Sequence, residues 1–137
     1  MYVVLDTNIL FSALIRDSIT RKLIFEYEGL FLFPAYIFEE AERHKDDILR
    51  KSGMNENEFN KLLALILRKV IIVPLEVLVP YRDEAYELVK NIDVNDTLFV
   101  ACALAYHGSI IWSNDLKLKN QAQIKVVNTR EAIELLQ

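Results

Sequence analysis

The sequence predicts an α/β fold in three layers, helices over a sheet over helices, with a central, mostly parallel sheet of five strands. Three observations predict it. Five short runs rich in β-branched and aromatic residues are apolar at nearly every position, as suits strands covered on both faces. Longer segments of helical period lie between them. Only 3 Gly and 3 Pro occur in 137 residues, with no Ser-rich stretch and no run of one charge, so short loops and a single domain over residues 1–137 are expected.

The first strand is expected at residues 2–5 and the second at 30–33, ended by Pro34. The third covers 70–73, ended by Pro74; the fourth and fifth cover 109–112 and 125–127. Helical patterns fill the intervals. Residues 9–16 and 19–27 follow the first strand, and 35–51 follows the second. The next, 56–69, opens with Asn55 as N-cap and Glu58 at the third helical position, a capping-box pattern. Residues 83–91 and 96–107 come after the third strand, the latter stopped by Gly108. A last helix, 130–136, takes Thr129 as its cap.

Composition excludes several function classes. A formal net charge of -4 argues against a protein that holds nucleic acid by broad positive charge. It leaves a nuclease open, because a bound divalent cation inverts the local charge of an acidic site. Cys102 is the only cysteine, which excludes an intrachain disulfide and a Cys-based zinc site. It sits in an apolar run and reads as a small buried hydrophobe. The N-terminus has neither a basic lead nor a long apolar stretch, and no apolar run nears the roughly 18 residues of a membrane span. A soluble cytoplasmic protein without membrane contact is the expectation.

In open parallel sheets, sites form beyond the carboxyl ends of the strands, where strand order reverses. Asp6 stands at the end of the first strand, in Leu5-Asp6-Thr7-Asn8, and Asp115 just beyond the fourth, in Trp112-Ser113-Asn114-Asp115. Each has a second possible role, Asp6 as a helix cap and Asp115 as a turn former. Strands one and four are neighbours in a doubly wound sheet, so both carboxylates open into one crevice. Asp96 begins a helix that is apolar on nearly every side and leads into the fourth strand, which puts it at the same end of the sheet; it too could be a cap. Asp93, three residues earlier, is either an additional acid or a solvated loop residue. A fourth acid is expected from the helix starting at Ala35. At about 100° per residue, Glu39 points away from the apolar arc while Glu40 and Glu42 flank it, and this geometry leaves both open.

Several carboxylates in one pocket raise each other's pKa values, so the arrangement needs a counter-ion. A hard cation such as Mg²⁺ accepts oxygen ligands and leaves positions for phosphate oxygens. With no Cys or His cluster, a zinc site is disfavoured. His44 reads as a surface residue, and His107 as favouring a helix dipole. The chemistry that follows is metal-assisted phosphodiester hydrolysis. Lys117 and Lys119, close behind Asp115, are candidates for holding RNA phosphates. The apolar fraction of 53% and the segment from Phe59 to Leu67, apolar on more than one side, predict a homodimer.

Taken in order, Val3-Val4-Leu5-Asp6-Thr7-Asn8, the segment from Pro34 to Glu40, Asp93-Val94-Asn95-Asp96-Thr97 with the apolar helix behind it, and Trp112-Ser113-Asn114-Asp115 resemble the PIN-domain ribonucleases over essentially the whole chain. The resemblance implies a PIN-like fold and Mg²⁺ (or Mn²⁺) held by Asp6, Glu40, Asp96 and Asp115. Glu40 is preferred over Glu39 and Glu42 because the family's Glu usually precedes a small or aliphatic residue, here Ala41. Asn8 and Ser113 match polar positions that support the cluster, and Asp93 matches one that is acidic in some members. Many small members are toxins that cut structured RNA, act as dimers and are blocked by an antitoxin protein, so the resemblance implies RNA and an antitoxin protein as partners. The rival readings fit less well. A haloacid dehalogenase-type phosphatase wants an acid where Asn8 stands. A receiver domain wants an acceptor Asp after the third strand, where Val73-Pro74-Leu75 stands. A catalytically inactive PIN-like module binding RNA or protein would not need all four acids.

Overall fold

A computed structural model describes residues 1–137. Its sheet has five parallel strands, β1 (Val3–Leu5), β2 (Phe31–Pro34), β3 (Val70–Val73), β4 (Ile110–Trp112) and β5 (Val126–Val127), in the order β3-β2-β1-β4-β5. The α/β expectation holds, and the sheet is wholly parallel. β1 lies at the centre, with Val3 opposite Phe31 on one side and Ile110 on the other. Its three residues are completely buried, which explains an unbroken apolar strand.

The chain moves outward from β1 through β2 to β3, then returns to the other side of β1 as β4. Right-handed crossovers therefore put the helices before and after this reversal on opposite faces. The packing agrees. α1 (Thr7–Ile15) rests against α2 (Ile19–Glu26), α4 (Lys45–Ser52) and α5 (Glu56–Leu67), and α2 touches α9 (Thr129–Leu136). α6 (Leu75–Leu78) and α7 (Arg82–Val89) instead pack on α8 (Thr97–Ala105), which lies against β1, β2 and β4. α8 is buried over most of its length, as its all-round apolar sequence requires. No helix is long and apolar enough to cross a membrane.

Several local expectations change. The segment 35–51 is two helices, α3 (Ile37–Arg43) and α4, divided at His44, whose φ of -101° and ψ of 4° leave helical geometry. Its imidazole sits 4.9 Å from the Phe11 ring of α1, and the bend carries α4 onto α1, where Ile48 is buried. α6 was not anticipated: a single turn with one polar residue, Glu76, is too short to show a period, and only Pro74 at its N-cap marks the start. The Asn55–Glu58 capping box is present in both directions. The last helix is capped by Asn128, not Thr129, through a second capping box with Glu131. Thr129 instead accepts the indole N–H of buried Trp112 at 3.1 Å. α8 ends at Ala105, before the expected 107, and Gly108, at φ +79°, makes the left-handed turn into β4. In α5 the apolar residues mostly serve this chain. Phe59 and Ile66 are buried, Leu62, Leu63 and Leu67 pack on the core, and only Ala64 and Leu65 are exposed.

Candidate metal centre

The backbone brings the acids together before any side chain acts. The Asp6 N–H donates to the Trp112 carbonyl at 3.1 Å, continuing the β1–β4 ladder one step past the strands. The Asp6 carbonyl then accepts from Ile9 and Leu10 and starts α1. Its carboxylate does not cap that helix. Oδ2 accepts instead from the Ser113 hydroxyl at 2.6 Å, and the Ser113 Oγ in turn accepts the Asp115 N–H at 3.1 Å. One buried serine thus ties the end of β1 to the turn after β4. The Asp115 Oδ1 accepts from the Lys117 N–H at 3.0 Å, so the turn role is realised while the carboxylate stays in the crevice.

Asp96 closes a 3₁₀ turn (Val94–Asp96) and precedes α8, again without a side-chain cap bond. Its Oδ2 is buried and has no partner in the protein. An orphaned buried carboxylate oxygen is costly unless a cation completes it. Carboxylate oxygens of Asp93, Asp96 and Asp115 lie within 4.8 Å of one another. The Asp93 Oδ1 accepts from the Asn95 N–H at 3.0 Å, which holds Asp93 facing its neighbours rather than free in solvent. Burial first, then the charges of Asp6, Asp93 and Asp115, push the Asp96 carboxyl up from 3.8 to about 7.

Glu40 enters from α3. With Asp6, Thr7, Tyr36, Arg43 and Asp96 it lines a cleft of about 460 Å³. Its side chain is 16% exposed, while Glu39 is exposed and Glu42 is turned toward Lys45 at 4.0 Å. Of the three glutamates, only Glu40 reaches the cleft. Arg43 pairs with one of its oxygens and the His44 Nε2 stands 3.6 Å from the other. His44 is therefore not a bare surface residue. Tyr36, unnoticed in the sequence, packs its ring on Phe33 and Phe99. Burial raises its phenol well above the ordinary value, partly offset by the Thr7 side chain.

Other expected residues lie elsewhere. Asn8 is exposed and lines a neighbouring cavity between α1 and α4. One position along a helix turns the side chain by about 100°, so Thr7 faces the acids and Asn8 does not. Lys119 pairs with Glu131, whereas Lys117 is exposed. His107 lines a cavity with Ser109 and Ile110 at the amino end of β4, away from the acids.

An orphaned carboxylate among further acids, at the carboxyl ends of parallel strands, offers the donor chemistry that could hold a divalent cation: hard oxygens only, no sulfur or imidazole among the clustered groups. A family profile described as PIN domain matches residues 4–135, and the chain belongs to the PIN-domain family. No curated protein matches the chain. Family membership points to nuclease activity, a phosphodiester hydrolase chemistry for which divalent metal ions are usual.

Proposed function

We propose that the protein is a Mg²⁺- or Mn²⁺-dependent endoribonuclease, with Asp6, Glu40, Asp96 and Asp115 as its metal-binding and catalytic acids. The observation that carries this reading is the buried, partnerless Oδ2 of Asp96 beside the oxygens of Asp93 and Asp115. Asp96 would be the central ligand, with Asp93 or Asp115 beside it and Asp6 and Glu40 on the facing wall. When bound, the cation polarises a phosphoryl oxygen and supplies positive charge where the transition state needs it. The protein's own groups orient the rest. Ser113 donates to Asp6 and holds that carboxylate in place. Glu40, held by Arg43 and His44, is positioned to accept a proton from an attacking water. Arg43 lines the cleft, where it pairs with Glu40, and with the exposed Lys117 is a candidate for meeting an incoming phosphate, while Lys119 is engaged with Glu131.

A toxin role with an antitoxin partner is proposed on a further observation. Phe38, Val94 and Leu116 are 54%, 51% and 69% exposed, and each stands within two residues of one of the acids. Apolar side chains around an acidic site suit a protein partner that covers it. A homodimer is proposed as well, resting on other exposed apolar residues, Leu75, Val79 and Tyr86, since α5 leaves little exposed apolar surface of its own.

The test is cleavage of a structured RNA with Mg²⁺ or Mn²⁺, in the wild type and in Asp96→Asn and Asp6→Asn. The expected result is metal-dependent endonucleolytic cleavage that falls by at least about a hundredfold in either variant. Cleavage that survives both substitutions, or persists in EDTA, would exclude the proposed site.

A further inference from the structure

A second cavity, of about 520 Å³, lies between α1 and α4. It adjoins the acid cleft. Thr7 lines both, and His44 on its wall reaches Glu40 of the cleft at 3.6 Å. Its chemistry is unlike that of the cleft. Arg16 and Lys51 are its cations, and its one acid, Asp47, is already paired with Arg50 and Lys51. Arg16 makes no ion pair within the chain. The wall also carries an aromatic pair, Phe11 and His44, with ring centroids 4.9 Å apart and planes inclined at 51°. Neither ring is fully buried.

We infer that this cavity is a subsite for a single-stranded nucleotide adjoining the scissile phosphate, its base against the Phe11–His44 pair and its phosphate near the unpaired Arg16. The inference rests on the nuclease reading of the neighbouring cleft and adds the path of the strand. A ring-sized aromatic wall with cations beside it is the combination by which single strands are held without sequence readout. The volume falls within the range that accommodates a small organic ligand. A duplex would keep its bases stacked on one another and could not use the pair, so the subsite selects an unpaired stretch of RNA. A strand entering here passes Thr7, with Asn8 and Ser12 available to its sugar, and meets the acids one residue further on.

The experiment uses the full chain and a fluorescein-labelled, mixed-sequence single-stranded RNA of about a dozen nucleotides, read by anisotropy in Ca²⁺ over a salt series. Arg16→Glu is compared with Arg68→Glu, an equal change of charge at an exposed position outside both cavities. Arg16→Glu is expected to raise Kd roughly tenfold and to reduce the slope of log Kd against log salt by about 0.7, with the control within about twofold of wild type. His44→Ala is expected to weaken binding roughly tenfold and His44→Phe to restore most of it, because stacking and not charge is at issue. Equal behaviour of Arg16→Glu and Arg68→Glu would overturn the subsite. So would a His44→Phe that binds as poorly as His44→Ala, or wild-type binding that does not distinguish single strands from a duplex. Cleavage of the same RNA in Mg²⁺ or Mn²⁺ is measured in parallel. Binding with these effects but no cleavage would leave the subsite standing and remove the nuclease reading.

Discussion

Replacing Asp96 by Asn separates a carboxylate kept for a cation from one kept for folding. In the metal-free protein the Asp96 carboxyl is raised from 3.8 to about 7, chiefly by burial and then by Asp6, Asp93 and Asp115. The native state therefore holds a proton that the unfolded chain has released across this window. Stability falls as pH climbs from about 4 to about 7, and the whole penalty is present above that. Without screening, the displacement corresponds to about 4 kcal/mol. The cleft is open to water, so about half that is the working figure. Asn has nearly the same shape and carries no charge. In EDTA at about pH 8, Asp96→Asn should therefore be more stable than wild type by about 2 kcal/mol, or about 8 °C in Tm for a chain of this size. At about pH 4 the two should melt together. Magnesium at about a hundred times its Kd should stabilise wild type by about 2.7 kcal/mol and the variant hardly at all. Thermal melts followed by circular dichroism, at two pH values with and without the ion, give all of these numbers. A variant less stable than wild type in EDTA at the higher pH would refute the reasoning. It would mean that Asp96 serves the start of α8, which the missing cap bond argues against.

Ser113→Ala removes a 2.6 Å donor to the Asp6 carboxylate and the acceptor of the Asp115 N–H. It should cost about 1–2 kcal/mol by denaturant titration and weaken Mn²⁺ binding at least about tenfold by calorimetry; undiminished affinity would show that the serine does not orient the acids. Asn55→Ala and Asn128→Ala each break a capping box and should lose about 1 kcal/mol. Their double variant should lose the sum, because the two helix starts share no partner; strong non-additivity would contradict that. Cys102 is buried, and its thiol is pushed up to about 12. It should stay unreactive toward a thiol reagent at about pH 8 in the native state and react once urea unfolds the chain.

The sheet was legible because its strands are short and apolar on both faces, a pattern that amphipathic surface helices do not produce. From that topology alone Asp6 and Asp115 fall at one end of one crevice, and Asp96 follows from the buried helix behind it. Less local features were hidden. Nothing in the composition of 35–51 marks the bend at His44, since neither Gly nor Pro stands there; the cause is packing against Phe11, a residue far back in the chain. Glu40 could be told from Glu42 only by the family resemblance until the cleft placed it. Asp93 looked like loop because its orientation depends on a 3₁₀ turn, whose short length leaves no period to read. Lys119 looked free because its partner, Glu131, is supplied by a helix 12 residues on.

The Ser113 hydroxyl joins residues 107 positions apart in the chain. β1 therefore presents its acid in this arrangement only once β4 has docked beside it. A nascent or prematurely released fragment lacking β4 carries Asp6, Glu40 and Asp96 but has neither Asp115 nor the serine that aligns Asp6. The alignment of the acids is thus a property of the closed sheet and not of any one segment of the chain.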